Sequence, residues 1–165
     1  MKKLIALLCV VTCLASEAQT PVSKHDKEFA VCAAKAGMKE VKLGQLALTN
    51  GSSQQIKNLG QQMVDDHSKA NAELMELTSK KAITLPSGMT EKEQKGYDKL
   101  AKLKGAEFDK AYAKCMVKDH KQAICLFKRE AKKGEDSDLK TFAQGKVPTL
   151  EHHKMMSEEV CKAVK

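Results

Sequence analysis

The octapeptide Met63-Val64-Asp65-Asp66-His67-Ser68-Lys69-Ala70 returns 53 residues later as Met116-Val117-Lys118-Asp119-His120-Lys121-Gln122-Ala123. Both copies sit in long stretches whose apolar residues recur every three or four positions, the period of a helix with one buried face. His67 falls in the middle of its stripe and His120 on the flank of its own. An imidazole on the inner face of a helix must be given a partner, so any fold of this chain has to accommodate at least two buried histidines.

The same period runs through most of the sequence. Residues 26–50 read as a first helix with Phe29, Ala33, Gly37, Glu40, Leu43 and Ala47 on one face. At 100° per residue Glu40 lies in the centre of that stripe. Asn50-Gly51 is the αL-tolerant pair expected at a helix C-terminus. Ser52 or Ser53 caps a second helix reaching about residue 82, and the two form an antiparallel hairpin. Pro86-Ser87-Gly88 makes residues 83–89 an extended loop. Thr90 caps a short helix over 91–104, and Gly105 breaks it. Residues 106–133 are the strongest amphipath, with Phe108, Tyr112, Met116, Asp119, Phe127 and Glu130 near one face. Asp136 caps a brief helix through Gln144, 145–147 is a link, and Pro148-Thr149 opens a final helix with His153 on its inner stripe.

Lengths choose among the possible bundles. A second helix of about 30 residues spans about 45 Å, and the loop plus the short helix covers a similar distance. The connection is therefore long enough to return along the bundle. The second and fourth segments then run parallel, and His67, sixteenth from Ser52, stands level with His120, sixteenth from Gly105. This predicts an all-α, ferritin-like four-helix bundle with a long crossover that contains the short helix.

The N-terminus has the form of an export signal: Lys2 and Lys3, an apolar run over residues 4–14, and Ser16-Glu17-Ala18 as a cleavage site. Residues 1–18 are thus expected to be removed, 19–25 to form a polar lead and 26–165 the bundle domain. The apolar run is too short to span a bilayer, and the remaining sequence offers no transmembrane segment. Cys9 and Cys13 lack the small preceding residue of a lipid-anchored chain, so a periplasmic or outer-membrane-associated protein without a lipid anchor is expected. Cys32, Cys115, Cys125 and Cys161 remain, an even number that in an exported chain suggests disulfides. Cys115 and Cys125 are about 15 Å apart along one helix and cannot pair with each other. Plain thiols are the alternative.

The chain carries a formal charge of +8, and Arg129 is its one arginine. Such lysines form either a solvated surface or a salt-sensitive attraction to anionic envelope surfaces. Nucleic acid is excluded as a partner by the export signal, the scarcity of arginine and an aromatic content of 4%.

Glu40, His67, His120 and His153 come one from each main helix, with Asp66 and Asp119 beside two of the histidines. Carboxylates and imidazoles converging in a bundle are how such folds hold iron, zinc or copper. The di-iron spacing is missing, however, because Val64 and Val117 stand where glutamates would be, and Glu40 is a different number of residues from its turn than His67. The other reading is a structural network of Asp-His hydrogen bonds. His152-His153-Lys154-Met155-Met156 is a second, copper(I)-type candidate. Nucleophilic catalysis has no serine elbow, phosphate loop or Cys-x-x-Cys to support it, and Cys115 or Cys125 with His120 has no feature that lowers a thiol pKa.

Several of these residues together resemble a known family. Phe29, Ala33-Ala34, Gly37-Met38, Glu40-Val41 and Leu43-Gly44 are followed by Met63-Val64, Asp66-His67, Ala70-Asn71 and Leu74. After them come Leu85-Pro86, Gly105, Phe108-Asp109, Tyr112, Val117, Asp119-His120, Leu126-Phe127, Pro148-Thr149-Leu150 and His153. The set, covering residues 27–156, is similar to the bacterial exported family called domain of unknown function 4142. The resemblance implies a ferritin-like bundle in the periplasm or at the outer membrane and supplies no activity. The four cysteines are not part of its pattern. The expected function is that of a non-enzymatic envelope bundle held together by Asp-His pairs, with a metal-binding bundle and a lysine-rich interaction module as alternatives.

Overall fold

The computed structural model describes residues 21–164, so the leader expected at residues 1–18 lies outside the described residues. Five helices follow in order: α1 Lys24–Asn50, α2 Gln54–Ser79, α3 Glu91–Ala101, α4 Gly105–Lys133 and α5 Ser137–Ala163. The Ser23 hydroxyl caps α1, Ser53 caps α2, and Thr90 with Glu93 forms a capping box on α3. The α1–α2 and α4–α5 hairpins pack side by side, α1 against α4 and α2 against α5.

Two buried aspartates fix the direction of the helices. Asp109, near the start of α4, accepts hydrogen bonds from Ser52 N (3.0 Å), Ser53 N (2.9 Å) and Ser52 Oγ (2.7 Å), so α4 begins where α2 begins. The Asn50 amide donates to Ala101 O and Leu103 O and ties the end of the crossover to the same turn. At the opposite end Asp26 accepts from Glu135 N (3.1 Å) and Asp136 N (3.0 Å), which puts the α4–α5 turn beside the start of α1. The α2 and α4 helices therefore run parallel on one diagonal and α1 and α5 on the other, the crossover topology expected from lengths. Gly44 and Gly60 let α1 and α2 touch: a Cβ at Gly44 would lie 2.6 Å from the Gly60 carbonyl oxygen.

Two details differ from expectation. Gly51 has φ −67, an ordinary extended conformation, and is glycine because a Cβ would meet Ala47 O at 2.6 Å and Ile56 Cγ2 at 2.7 Å. The brief helix, link and final helix are one continuous α5 with Pro148 inside it. A proline in a helix interior costs about 3 kcal/mol. Leu139 and Ala143 before it and Leu150 after it are all buried in one core cluster, and that shared burial keeps the rod intact.

The core is divided. One apolar cluster holds Leu43, Ala47, Ile56, Met63, Tyr112 and Met116; the other holds Phe29, Ala33, Leu74, Phe127, Leu139 and Leu150. On every long helix a buried polar residue falls between the two clusters: Glu40 on α1, His67 on α2, His120 on α4 and His153 on α5. The bundle is two hydrophobic plugs with a polar layer between them.

Candidate metal centre

The parallel run of α2 and α4 brings His67 and His120 to one level, with ring centroids 5.6 Å apart, and α5 adds His153 at 5.3 Å from each. One ring nitrogen from each of the three lies within 4.8 Å of the others. All three side chains are buried.

Their hydrogen bonds set the tautomers of two of the rings. His120 Nδ1 is 2.9 Å from the Met116 carbonyl oxygen, so it carries the proton and donates, which leaves Nε2 a bare lone pair. His153 Nε2 donates to Asp66 Oδ2 at 2.8 Å, leaving Nδ1 bare. His120 Nε2, His153 Nδ1 and His67 Nε2 are all buried without a partner. Burial first, then the neighbouring imidazoles, depress His67 to about 3. Burial, with help from His153, takes His120 to about 4, and burial also lowers His153. The rings are neutral at physiological pH, the state in which imidazole ligates metals.

The carboxylates expected in the site take other roles. Asp66 supports His153 rather than its neighbour in sequence. Asp119 does not pair with His120; it accepts from Lys39 Nζ at 2.5 Å and from Cys115 Sγ at 3.2 Å, because on α4 it points toward α1. Glu40 is buried with Oε2 unpartnered but stands apart from the three-imidazole cluster, and burial, then Asp119, push it up to about 8. The His152–Met156 stretch is split by the helical period: His153 faces inward, Met155 is exposed, and Met156 packs on the core cluster at the far end of α5. Cys32, Cys115, Cys125 and Cys161 are free thiols. Burial pushes the Cys115 thiol up to about 12, which removes it as a nucleophile at neutral pH.

A second cluster was not singled out from the sequence. His25, Asp26 and Glu130 meet where α1 begins and α4 ends, with His25 Nε2 3.1 Å from Glu130 Oε2. Burial, then the adjacent Asp26 carboxyl, raises Glu130 to about 7, while Asp26 stays below its ordinary value because N–H donors of the α4–α5 turn outweigh its own burial. Two carboxyls this close do not both ionise readily, and the proton stays on Glu130, the one without N–H donors. The available signal was Glu130 on the inner stripe of α4.

The three histidines line a half-enclosed cavity of about 440 Å³, which Glu40 and Asp119 also line. Apolar residues of the second core cluster, such as Leu74, Phe127 and Leu150, form part of its wall, and polar side chains including Lys69, Asn71, Gln122 and Thr149 form the rest.

The family model for a domain of unknown function, DUF4142, matches residues 11–160. No curated protein matches the chain. Among solved structures, a DUF305 fragment from Deinococcus radiodurans superposes with a TM-score of 0.77 at 10% identity, covering 87% of this chain and 99% of that one. A DUF305 protein from Streptomyces coelicolor gives 0.73 at 14% identity, covering 85% and 93%. At these identities the likeness is one of fold.

Proposed function

Because the chain belongs to the DUF4142 family, which names no activity, we propose from the site itself that this protein binds a single transition-metal ion through His67 Nε2, His120 Nε2 and His153 Nδ1. The observation that carries the reading is three inward imidazole nitrogens, each from a different helix, buried and without a partner. A purely structural network would satisfy them, since each buried unpaired polar group costs about 1–3 kcal/mol. The supports are those of a metal site: the Met116 carbonyl and the Asp66 carboxylate orient two of the rings from behind. An all-nitrogen donor set favours zinc or copper(II) over magnesium, calcium or manganese, and the carboxylate-rich pattern of di-iron bundles is missing. Tetrahedral ligation at about 2.0–2.1 Å holds nitrogens about 3.4 Å apart, so small ring rotations complete the site.

We place this centre in the cell envelope, on the leader-like residues 1–18 and on a structural neighbour that carries "secreted protein" in its name. No described helix is long and apolar enough to cross a membrane. Elemental analysis of protein purified from its native envelope, with zinc and copper(II) titrations of the stripped protein, tests the reading. One ion per chain, lost in His120→Ala, is expected. Stripped protein that takes up neither ion, and whose thermal midpoint neither ion moves, overturns it.

A further inference from the structure

We propose that the cavity beside the three histidines is a pocket for a small organic monoanion, its anionic head on the open coordination position of the metal and its apolar body against the alanine-lined wall. This rests on the metal-centre reading.

Three protein ligands leave a tetrahedral ion one exchangeable position, the arrangement of zinc sites that take an exogenous ligand. All three histidines line the cavity, whose volume of about 440 Å³ is that of a small-molecule pocket. The wall is built from small and apolar side chains: Ala33, Ala36 and Gly37 of α1, Ala70 of α2, and Ala123 and Phe127 of α4. The four alanines leave room that leucine would fill, whereas the Asn71 amide takes the space over Gly37 and adds a polar group to the wall.

Charge selects the head group. Two of the carboxylates around the cavity are neutralised by lysines that also line it, Asp119 by Lys39 and Glu73 by Lys146, while Asp66, bonded to the neutral His153, and Glu93, in the capping box of α3, keep their charge. Lys69 lines the cavity and, among the described residues, has no carboxylate within salt-bridge reach. With Glu40 held neutral by burial, Lys69 is outweighed by Asp66 and Glu93, so the lining carries one negative charge in excess without the ion and one positive charge in excess with a divalent ion; the loaded pocket therefore attracts an anion and the metal-free pocket does not. An apolar wall next to that charge favours an amphipathic anion over a hydrated inorganic one.

The experiment uses the cobalt(II)-loaded full chain, whose visible spectrum reports the fourth ligand, titrated with acetate, butanoate and hexanoate. The expected result is a spectral shift whose midpoint tightens about fourfold per added methylene until the wall is covered. Ala36→Phe should abolish the chain-length dependence while cobalt stoichiometry and the acetate response persist, and Lys69→Met should weaken all three anions. Cobalt uptake with no shift, or with a shift indifferent to chain length, overturns the pocket and leaves the metal centre standing. Failure to take up cobalt at all overturns the metal-centre reading and this inference with it.

Discussion

His153 on α5 donates its Nε2–H to the carboxylate of Asp66 on α2, 2.8 Å away, although His67 is Asp66's neighbour in sequence. The helical period explains the crossed pairing. Adjacent residues on a helix point about 100° apart, so when His67 faces the core, Asp66 faces the flanking helix. The repeated Asp-His dipeptide is therefore not two hydrogen-bonded pairs. In the first copy the aspartate orients an imidazole on another helix; in the second, Asp119 anchors Lys39 of α1. The histidines of both copies are left free to converge.

Asp66→Ala removes the acceptor that holds His153 in its Nδ1-bare tautomer. Loss of such a support weakens metal affinity about 10- to 100-fold. Competition titration of zinc against a chromophoric chelator should show a drop in that range with stoichiometry kept at one. The metal-free protein should lose only about 1 kcal/mol, because Asp66 is partly exposed and its second partner, Gln62, is too. Unchanged affinity would mean that the pair does not orient a ligand.

His67→Leu separates a metal centre from a structural network. In the metal-free protein the leucine replaces a buried nitrogen that has no partner, so stability should hold or rise slightly. Added zinc should then no longer raise the thermal midpoint, whereas in the wild type an excess of 100 times the dissociation constant adds about 2.7 kcal/mol. A loss of several kcal/mol in the metal-free variant would show that His67 is already satisfied in the folded protein.

Asp109→Ala tests the other kind of buried carboxylate. It leaves Ser52 N, Ser53 N and the Ser52 hydroxyl without their acceptor at the turn where α1, α2 and α4 meet, and should cost about 3 kcal/mol in urea unfolding. Asp109 is 11 residues before His120 on the same helix, about 16 Å away, so zinc stoichiometry should not change.

The parts of this architecture readable from sequence were those written in local periods and counts. The equal spacing of His67 from Ser52 and of His120 from Gly105 gave the parallel helices, and these put the two rings 5.6 Å apart. Glu40 was correctly placed inside, but its depth along α1 leaves it outside the three-imidazole cluster, as its distance from the turn implied. Pro148 misled because local preference starts a new helix at a proline, while the burial of Leu139, Ala143 and Leu150 in one cluster is visible only once α5 is packed. Asp26 stood at the start of the first helix, and Asp109 entered only through the family pattern. Their work is capping chain segments 109 and 57 residues away, respectively, and no local pattern records that.

Stability of the metal-free protein should fall as pH rises from 6.5 to 8.5, and two buried glutamates make the prediction specific. Burial holds Glu40 near 8 and, with Asp26, Glu130 near 7, both raised from an ordinary value of 4.5. A carboxyl whose folded pKa is raised keeps its proton when the unfolded chain has released it. Its favourable contribution is complete below about 4.5 and is lost as pH climbs to and through the folded value, by roughly 1.4 kcal/mol for each pH unit crossed on the way. The three histidines have the opposite sign: their pKa values are depressed, so they destabilise the fold below 6.5 and are silent above it. Between 6.5 and 8.5 the slope therefore belongs to the glutamates. Glu40→Gln and Glu130→Gln keep the shape and remove the titration. Chemical denaturation in chelator at pH 6.5, 7.5 and 8.5 should show a decline in the wild type, a shallower one in each single variant and the shallowest in the double variant. A double variant that declines as steeply as the wild type would mean that both carboxylates are already ionised in the folded protein at pH 6.5.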